Sequence, residues 1–182
     1  MLLQREGYWV RTSFKVELTK EEKRVIGRPS SPRWEPDLVA YKGNGNELLV
    51  VECKSFLDSP GVRFSGFDGE HPDEAVRYKL FNDELLYEVV KKRLVTQLTG
   101  AESCAPDPSV RLCLAAGNIA SDSDREKLRL HSSKRGWLPF DEAWLLESLK
   151  TVSSTGYEDD VASVVSKLLT RRSGGAVPAH GG

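Results

Sequence analysis

The amino-acid sequence predicts an α/β fold with a mixed central β-sheet flanked by α-helices. Three observations carry that expectation: a long period-two segment near the N-terminus, two strand-like runs joined through Asn-Gly, and helical periodicity that then alternates with another apolar run.

From Tyr8 to Leu18, the residues Tyr8, Val10, Thr12, Phe14, Val16 and Leu18 alternate with Trp9, Arg11, Ser13, Lys15 and Glu17. This is the pattern of one long half-buried strand. Thr19 to Arg24 is charged, and Gly27 to Pro32 reads as a loop rich in proline and serine. Trp34 to Tyr41 and Glu47 to Phe56 are two strands joined by Lys42-Gly43-Asn44-Gly45-Asn46. A type I′ turn needs positive φ at both central positions, which Asn-Gly supplies. Ser55 to Asp73, rich in Gly, Asp and Phe, has no period and reads as a long surface excursion.

Leu86, Val90, Leu94 and Leu98 recur at helical spacing, with Asn82 or Asp83 to cap the start and Gly100 to end the helix. Val110 to Ala116 is almost continuously apolar, as an interior strand covered on both faces would be. Ser123 and Glu126 stand in capping-box spacing before a helix that Gly136 closes. Two further helices are expected, over Asp141 to Thr151 and Tyr157 to Thr170.

The chain has 182 residues, 39% of them hydrophobic, enough for one domain with a sizeable core. Residues 1–172 are expected to form that domain and 173–182 a disordered tail. No window approaches the uncharged apolar length of a membrane span, and the first six residues are too charged for a signal peptide, so the expected location is the cytoplasm with no membrane partner. Three cysteines without a CxxC pair fit a reducing compartment, with Cys53 and Cys113 expected as buried thiols. A net charge of −1 provides no global attraction for nucleic acid, which leaves local basic clusters to provide it.

The chemistry concentrates on the hairpin. With a two-residue Asn44-Gly45 turn, Gly43 faces Asn46, and counting outward places Asp37 opposite Glu52. Lys54 then shares the face of Glu52, whereas Val51 and Cys53 point the other way with Leu38 and Ala40. Directly opposed residues have Cβ atoms about 4.5–5.5 Å apart, and like charges there are unfavourable unless neutralised. A divalent cation would neutralise them, since Mg²⁺ is commonly held by one or two carboxylates together with waters and phosphate oxygens. Lys54 would assist a water nucleophile and offset charge on phosphoryl oxygens.

Pro36-Asp37 followed after fourteen residues by Glu52-Cys53-Lys54 resembles the PD-(D/E)xK motif of the restriction-endonuclease-like nuclease superfamily. The resemblance extends from Tyr8 to Ala116. It implies a three-layer αβββαβ core with the motif on its second and third strands, metal binding by Asp37 and Glu52 as Mg²⁺ or Mn²⁺ ligands, and a catalytic role for Lys54. It further implies a metal-dependent nuclease acting on nucleic acid, with DNA the favoured substrate; a homodimer would suit cutting of both strands. Members of the family carry a helix before the first strand, often with a glutamate near the metal, whereas here only six residues precede Gly7. Glu6 could supply that carboxylate or be a solvated helix end.

Gln97 is either an accessory group beside the site or a surface residue of its helix. Candidate nucleic-acid contacts are Arg28 and Arg33 in the loop before the motif, Arg63 and His71 in the excursion, and Arg125, Lys127 and Arg129 on a basic helix; such helix charges are more usually a solvated face, and His71 reads also as a residue tucked under the sheet or at a dimer contact. Lys91, Lys92 and Arg93 form a second basic group of the same kind. No GxSxG, HExxH or P-loop is present, and no histidine has a partner at zinc-ligand spacing. The rival expectation is a non-catalytic nucleic-acid-binding or assembly module that retains the nuclease fold.

Overall fold

The structure is a computed structural model, and it describes residues 2–30, 33–56, 58–154 and 164–165. The elements run α1 (Leu2–Arg5), β1 (Trp9–Thr12), α2 (Lys20–Val25), β2 (Leu38–Lys42), β3 (Glu47–Lys54), α3 (Pro72–Ala75), α4 (Lys79–Asn82), α5 (Glu84–Gly100), β4 (Ser109–Ala116), α6 (Asp122–Arg135), β5 (Leu138–Phe140) and α7 (Glu142–Ser154). The five strands lie in sequence order in one mixed sheet. β1, β2 and β3 form an antiparallel meander, and β3, β4 and β5 are parallel.

Period-two alternation divides the core between the two faces of this sheet. Val39, Leu48, Val50, Leu112 and Leu114 pack with Leu86, Val90, Leu94 and Leu98 of α5 and Leu128 of α6. The opposite face places Ala40, Leu49, Val51 and Cys113 against Leu3 of α1, with Phe140 and, partly buried, Trp144 of α7. Helices therefore cover both faces, and β4, paired on both edges, is the interior strand its apolar run predicts. Complete burial of the four α5 side chains contributes about 1.5–3 kcal/mol each before entropy is counted.

The N-terminal strand is shorter than its pattern. Ser13 adopts φ +49° and breaks the ladder after Thr12, although Phe14, Val16 and Leu18 stay buried and Val16 bridges Trp34. Alternation reports burial, and here it outlasts strand pairing. The charged stretch after Leu18 is a helix, α2, opened by a Thr19/Glu22 capping box. Ser121, not Ser123, caps α6, with Asp124 in the acidic position, while Gly136 at φ +70° closes that helix as expected.

The excursion after β3 is not purely a surface loop, because Val62 and Phe67 are buried beneath it. Cys113 is buried as expected, but Cys53 is exposed at the end of its strand. Trp9 is exposed as well. No described helix is long and apolar enough to cross a membrane. Of the helix expected over 157–170, only Val164 and Val165 are described, and they are helical and exposed; the tail 173–182 lies outside the described residues.

Candidate active site

The hairpin register is the one read from the turn, with Lys42 opposite Glu47 and Leu38 opposite Val51. The turn itself differs. Positive φ falls on Gly45 (+90°) and Asn46 (+46°), not on Asn44 and Gly45, so the turn is not of type I′. Asn46 tolerates the left-handed conformation because both ends of its amide are bound: Tyr41 Oη donates to Oδ1 at 3.0 Å, and Nδ2 donates to the Pro106 carbonyl at 2.8 Å.

One step beyond Leu38 the ladder stops, so Asp37 is not a formal cross-strand partner of Glu52. Its carbonyl accepts the N–H of Ser13 at 3.0 Å, and its Oδ2 accepts the N–H of Cys53 at 2.7 Å. The carboxylate thus reaches across to the backbone between Glu52 and Lys54. Glu52 and Lys54 sit on the face of Val50, and Lys54 Nζ lies 3.8 Å from Glu52 Oε2. The three charged side chains gather at the carboxyl end of β3, where open α/β sheets commonly bind ligands.

Burial, and then the negative charge of Asp37, push the Glu52 carboxyl up to about 7; Lys54 opposes this without cancelling it. The other acid of β3 has a fuller set of partners. Glu47 accepts the Tyr8 hydroxyl and lies 3.5 Å from Arg111 Nη1. Among the described residues Glu52 pairs with Lys54 alone, which leaves the two acids short of positive charge there.

That deficit is the fit test for a divalent cation. Burial first and then the charge of Asp37 disfavour ionisation of Glu52, and two carboxylates with waters and substrate oxygens are a donor set of the kind Mg²⁺ takes. Among the described residues no group of three or more His, Cys, Asp or Glu that could hold a metal ion assembles.

The accessory candidates lie elsewhere. Glu6 influences Tyr8 and so belongs to the Glu47 end of the sheet, five residues from Glu52 and about 16 Å away at strand rise. The Gln97 amide is spent on the backbone, accepting the Glu17 N–H at 2.8 Å and donating to the Lys15 carbonyl at 3.2 Å. Four of the arginine candidates are paired with carboxylates: Arg28 with Asp83, Arg33 with Glu35, Arg129 with Glu126, and Arg125 with Asp122, Asp141 and Glu142. Arg63, His71 and Lys127 come together in one cleft.

The groups that residue patterns do not reveal are on the backbone. The N–H of Cys53 orients Asp37, and Gly117, whose N–H donates to the Lys54 carbonyl at 2.9 Å, holds the end of β3 against β4. No spacing rule marks either one. Comparison with protein-family models, curated proteins and solved structures returns no match for this chain.

Proposed function

We propose that this chain is a metal-dependent nuclease with a restriction-endonuclease-like fold, hydrolysing phosphodiester bonds of nucleic acid, with DNA as the favoured substrate. The observation that carries the proposal is the convergence of Asp37, Glu52 and Lys54 at the carboxyl end of β3, with two mutually repelling acids beside one ammonium. The order helix, three-strand antiparallel meander, helix, parallel strand supports it, being that of the core the motif implies.

Asp37, oriented by the Cys53 N–H, and Glu52 would hold Mg²⁺ or Mn²⁺. The bound cation supplies Lewis acidity toward the scissile phosphate and the attacking water. Lys54 orients that water and offsets negative charge growing on the phosphoryl oxygens in the transition state. Half-burial of Glu52 and Lys54 strengthens both interactions by lowering local screening.

The test is cleavage of plasmid and oligonucleotide DNA in Mg²⁺, Mn²⁺ and EDTA, comparing wild type with Asp37→Asn and Lys54→Ala. Metal-dependent cutting that falls roughly 100-fold or more in each variant is expected, the usual scale for losing one charge-stabilising group. Cutting that survives both substitutions rejects the assignment. Nucleic-acid binding without any cutting by wild type would instead identify a non-catalytic module on the same fold.

A further inference from the structure

The β3–β4 seam continues past Lys54. After the Gly117–Lys54 hydrogen bond, Val62 and Ile119 form an isolated parallel bridge, with Val62 N–H on the Asn118 carbonyl and Ala120 N–H on the Val62 carbonyl, both at 2.9 Å. Val62, Phe67 and Leu128 share the core cluster of Val50 and Leu114. The excursion and the start of α6 therefore stand at the same end and on the same face of the sheet as Glu52 and Lys54.

Between those two segments lies an open cleft of ≈ 470 Å³, with Arg63, Ser65 and His71 on one wall and Ser121 and Lys127 on the other. Asp124 joins the walls. Its Oδ1 accepts the Phe64 N–H at 2.8 Å and its Oδ2 accepts the Ser121 hydroxyl at 2.6 Å. Both oxygens are thus engaged by neutral donors. Arg63, from the excursion, and Lys127, one turn along α6, both act on Asp124, yet neither forms an ion pair within 4.0 Å among the described residues. Asp68 is occupied by His71 at 3.1 Å and by the Glu70 N–H at 2.8 Å. Arg63 and Lys127 are thus the two cations of the cleft that no carboxylate takes up as an ion pair among the described residues, while Asp68 is turned to His71 and Glu74 accepts the Ser65 hydroxyl. Two such cations suit one phosphodiester, not a tract of them.

We propose that this cleft is a second phosphate anchor, in which Arg63 and Lys127 grip the backbone of the strand whose scissile phosphate lies at Glu52 and Lys54. Its place along the strand rests on the nuclease reading. From Leu114, the β4 partner of Glu52, to Ala120 in the cleft is six residues, at most about 22 Å of chain. A stacked strand rising about 3.4 Å per nucleotide covers that span in roughly six nucleotides. Contacts of this kind position a strand without reading its sequence.

The experiment follows binding of a labelled single-stranded DNA of about twelve nucleotides, long enough to reach both places, by fluorescence anisotropy in EDTA across a salt series. Arg63→Ala combined with Lys127→Ala is expected to weaken binding roughly tenfold or more at low salt. The slope of log K against log salt should become shallower by about 0.7, the value for the one phosphate that the two side chains neutralise together. Arg63→Lys combined with Lys127→Arg should restore the slope, and Lys20→Ala, an exposed cation of α2, should bind as wild type does. Circular dichroism melts confirm that each variant is folded. An unchanged slope in the double alanine variant overturns the anchor, as does a wild type that binds no oligonucleotide. Cleft-dependent binding without metal-dependent cleavage would reject the nuclease reading and retain the cleft as a phosphate site.

Discussion

Asp37 Oδ2 accepts the backbone N–H of Cys53 at 2.7 Å, which ties the acid before β2 to the residue between Glu52 and Lys54. The position of Asp37 is therefore set by the fold before any ligand arrives. Asp37→Asn keeps an acceptor for that N–H and should melt within about 1 kcal/mol of wild type while losing metal-dependent cleavage. Asp37→Ala leaves the N–H without its partner and should melt below the asparagine variant by about 1 kcal/mol. Equal melting temperatures for the two would show that the hydrogen bond contributes nothing.

The acidity of Glu52 sets a stability profile. Burial first, then Asp37, raise its carboxyl from 4.5 to about 7. Between those values the folded chain keeps a proton that the unfolded chain has released. The stabilisation is complete below about pH 4.5 and lost as pH rises through about 7. At ~1.36 kcal/mol per pKa unit, the loss is about 3 kcal/mol at most. Glu52→Gln removes this slope, so at about pH 8 the variant should melt above wild type. Mn²⁺ at that pH should raise the melting temperature of wild type and leave the variant unmoved, since only a native state that binds the ion gains from it. Identical pH profiles for the two proteins would rule out the coupling.

Gly117 is a steric requirement of the site. A Cβ built there would lie 2.5 Å from the Ser55 carbonyl oxygen, a backbone atom that cannot swing aside. Gly117→Ala should cost about 1–3 kcal/mol, as overpacking does, and lower cleavage by displacing the strand end that carries Lys54. Thermal melts and cleavage rates on the same preparation check both effects.

Glu22 links α2 to α5. Burial raises its pKa, but the bonds from Arg93, with Nε at 2.9 Å from Oε2 and Nη2 at 2.9 Å from Oε1, prevail and hold it below 4.5. The stabilisation is present above that ordinary value and is lost as pH falls through the lowered one. Arg93→Lys forfeits the two-pronged geometry and should cost about 1 kcal/mol near neutral pH, with the difference from wild type shrinking in acid. Urea midpoints at two pH values measure it.

Much of the fold can be read from the residues because its signals are local. The Leu86–Leu98 stripe, the Asp83 cap and the Gly136 stop each act within a few turns of helix and appear where their patterns place them, while the period-two run of Tyr8 to Leu18 marks burial at Phe14, Val16 and Leu18 and pairs as a strand only over Trp9–Thr12. The short edge strand β5 carries no such signal: Pro139 sits in the middle of its three residues, and only parallel pairing with β4 makes the segment a strand. α2 is legible in principle through Thr19 and Glu22, but the surrounding charge obscures a helix with no buried residue of its own.

The sequence alone determined that Glu52 and Lys54 share a face and that the hairpin closes in one register, since alternation and the spacing around the turn follow from covalent geometry. Only the tertiary structure decided that Asp37 leaves the ladder to accept the Cys53 N–H, that most basic candidates are neutralised by carboxylates, and that Arg63 and Lys127 meet across a cleft. Those outcomes depend on how separate segments of the chain come together, where packing selects among partners that residue spacing leaves equivalent.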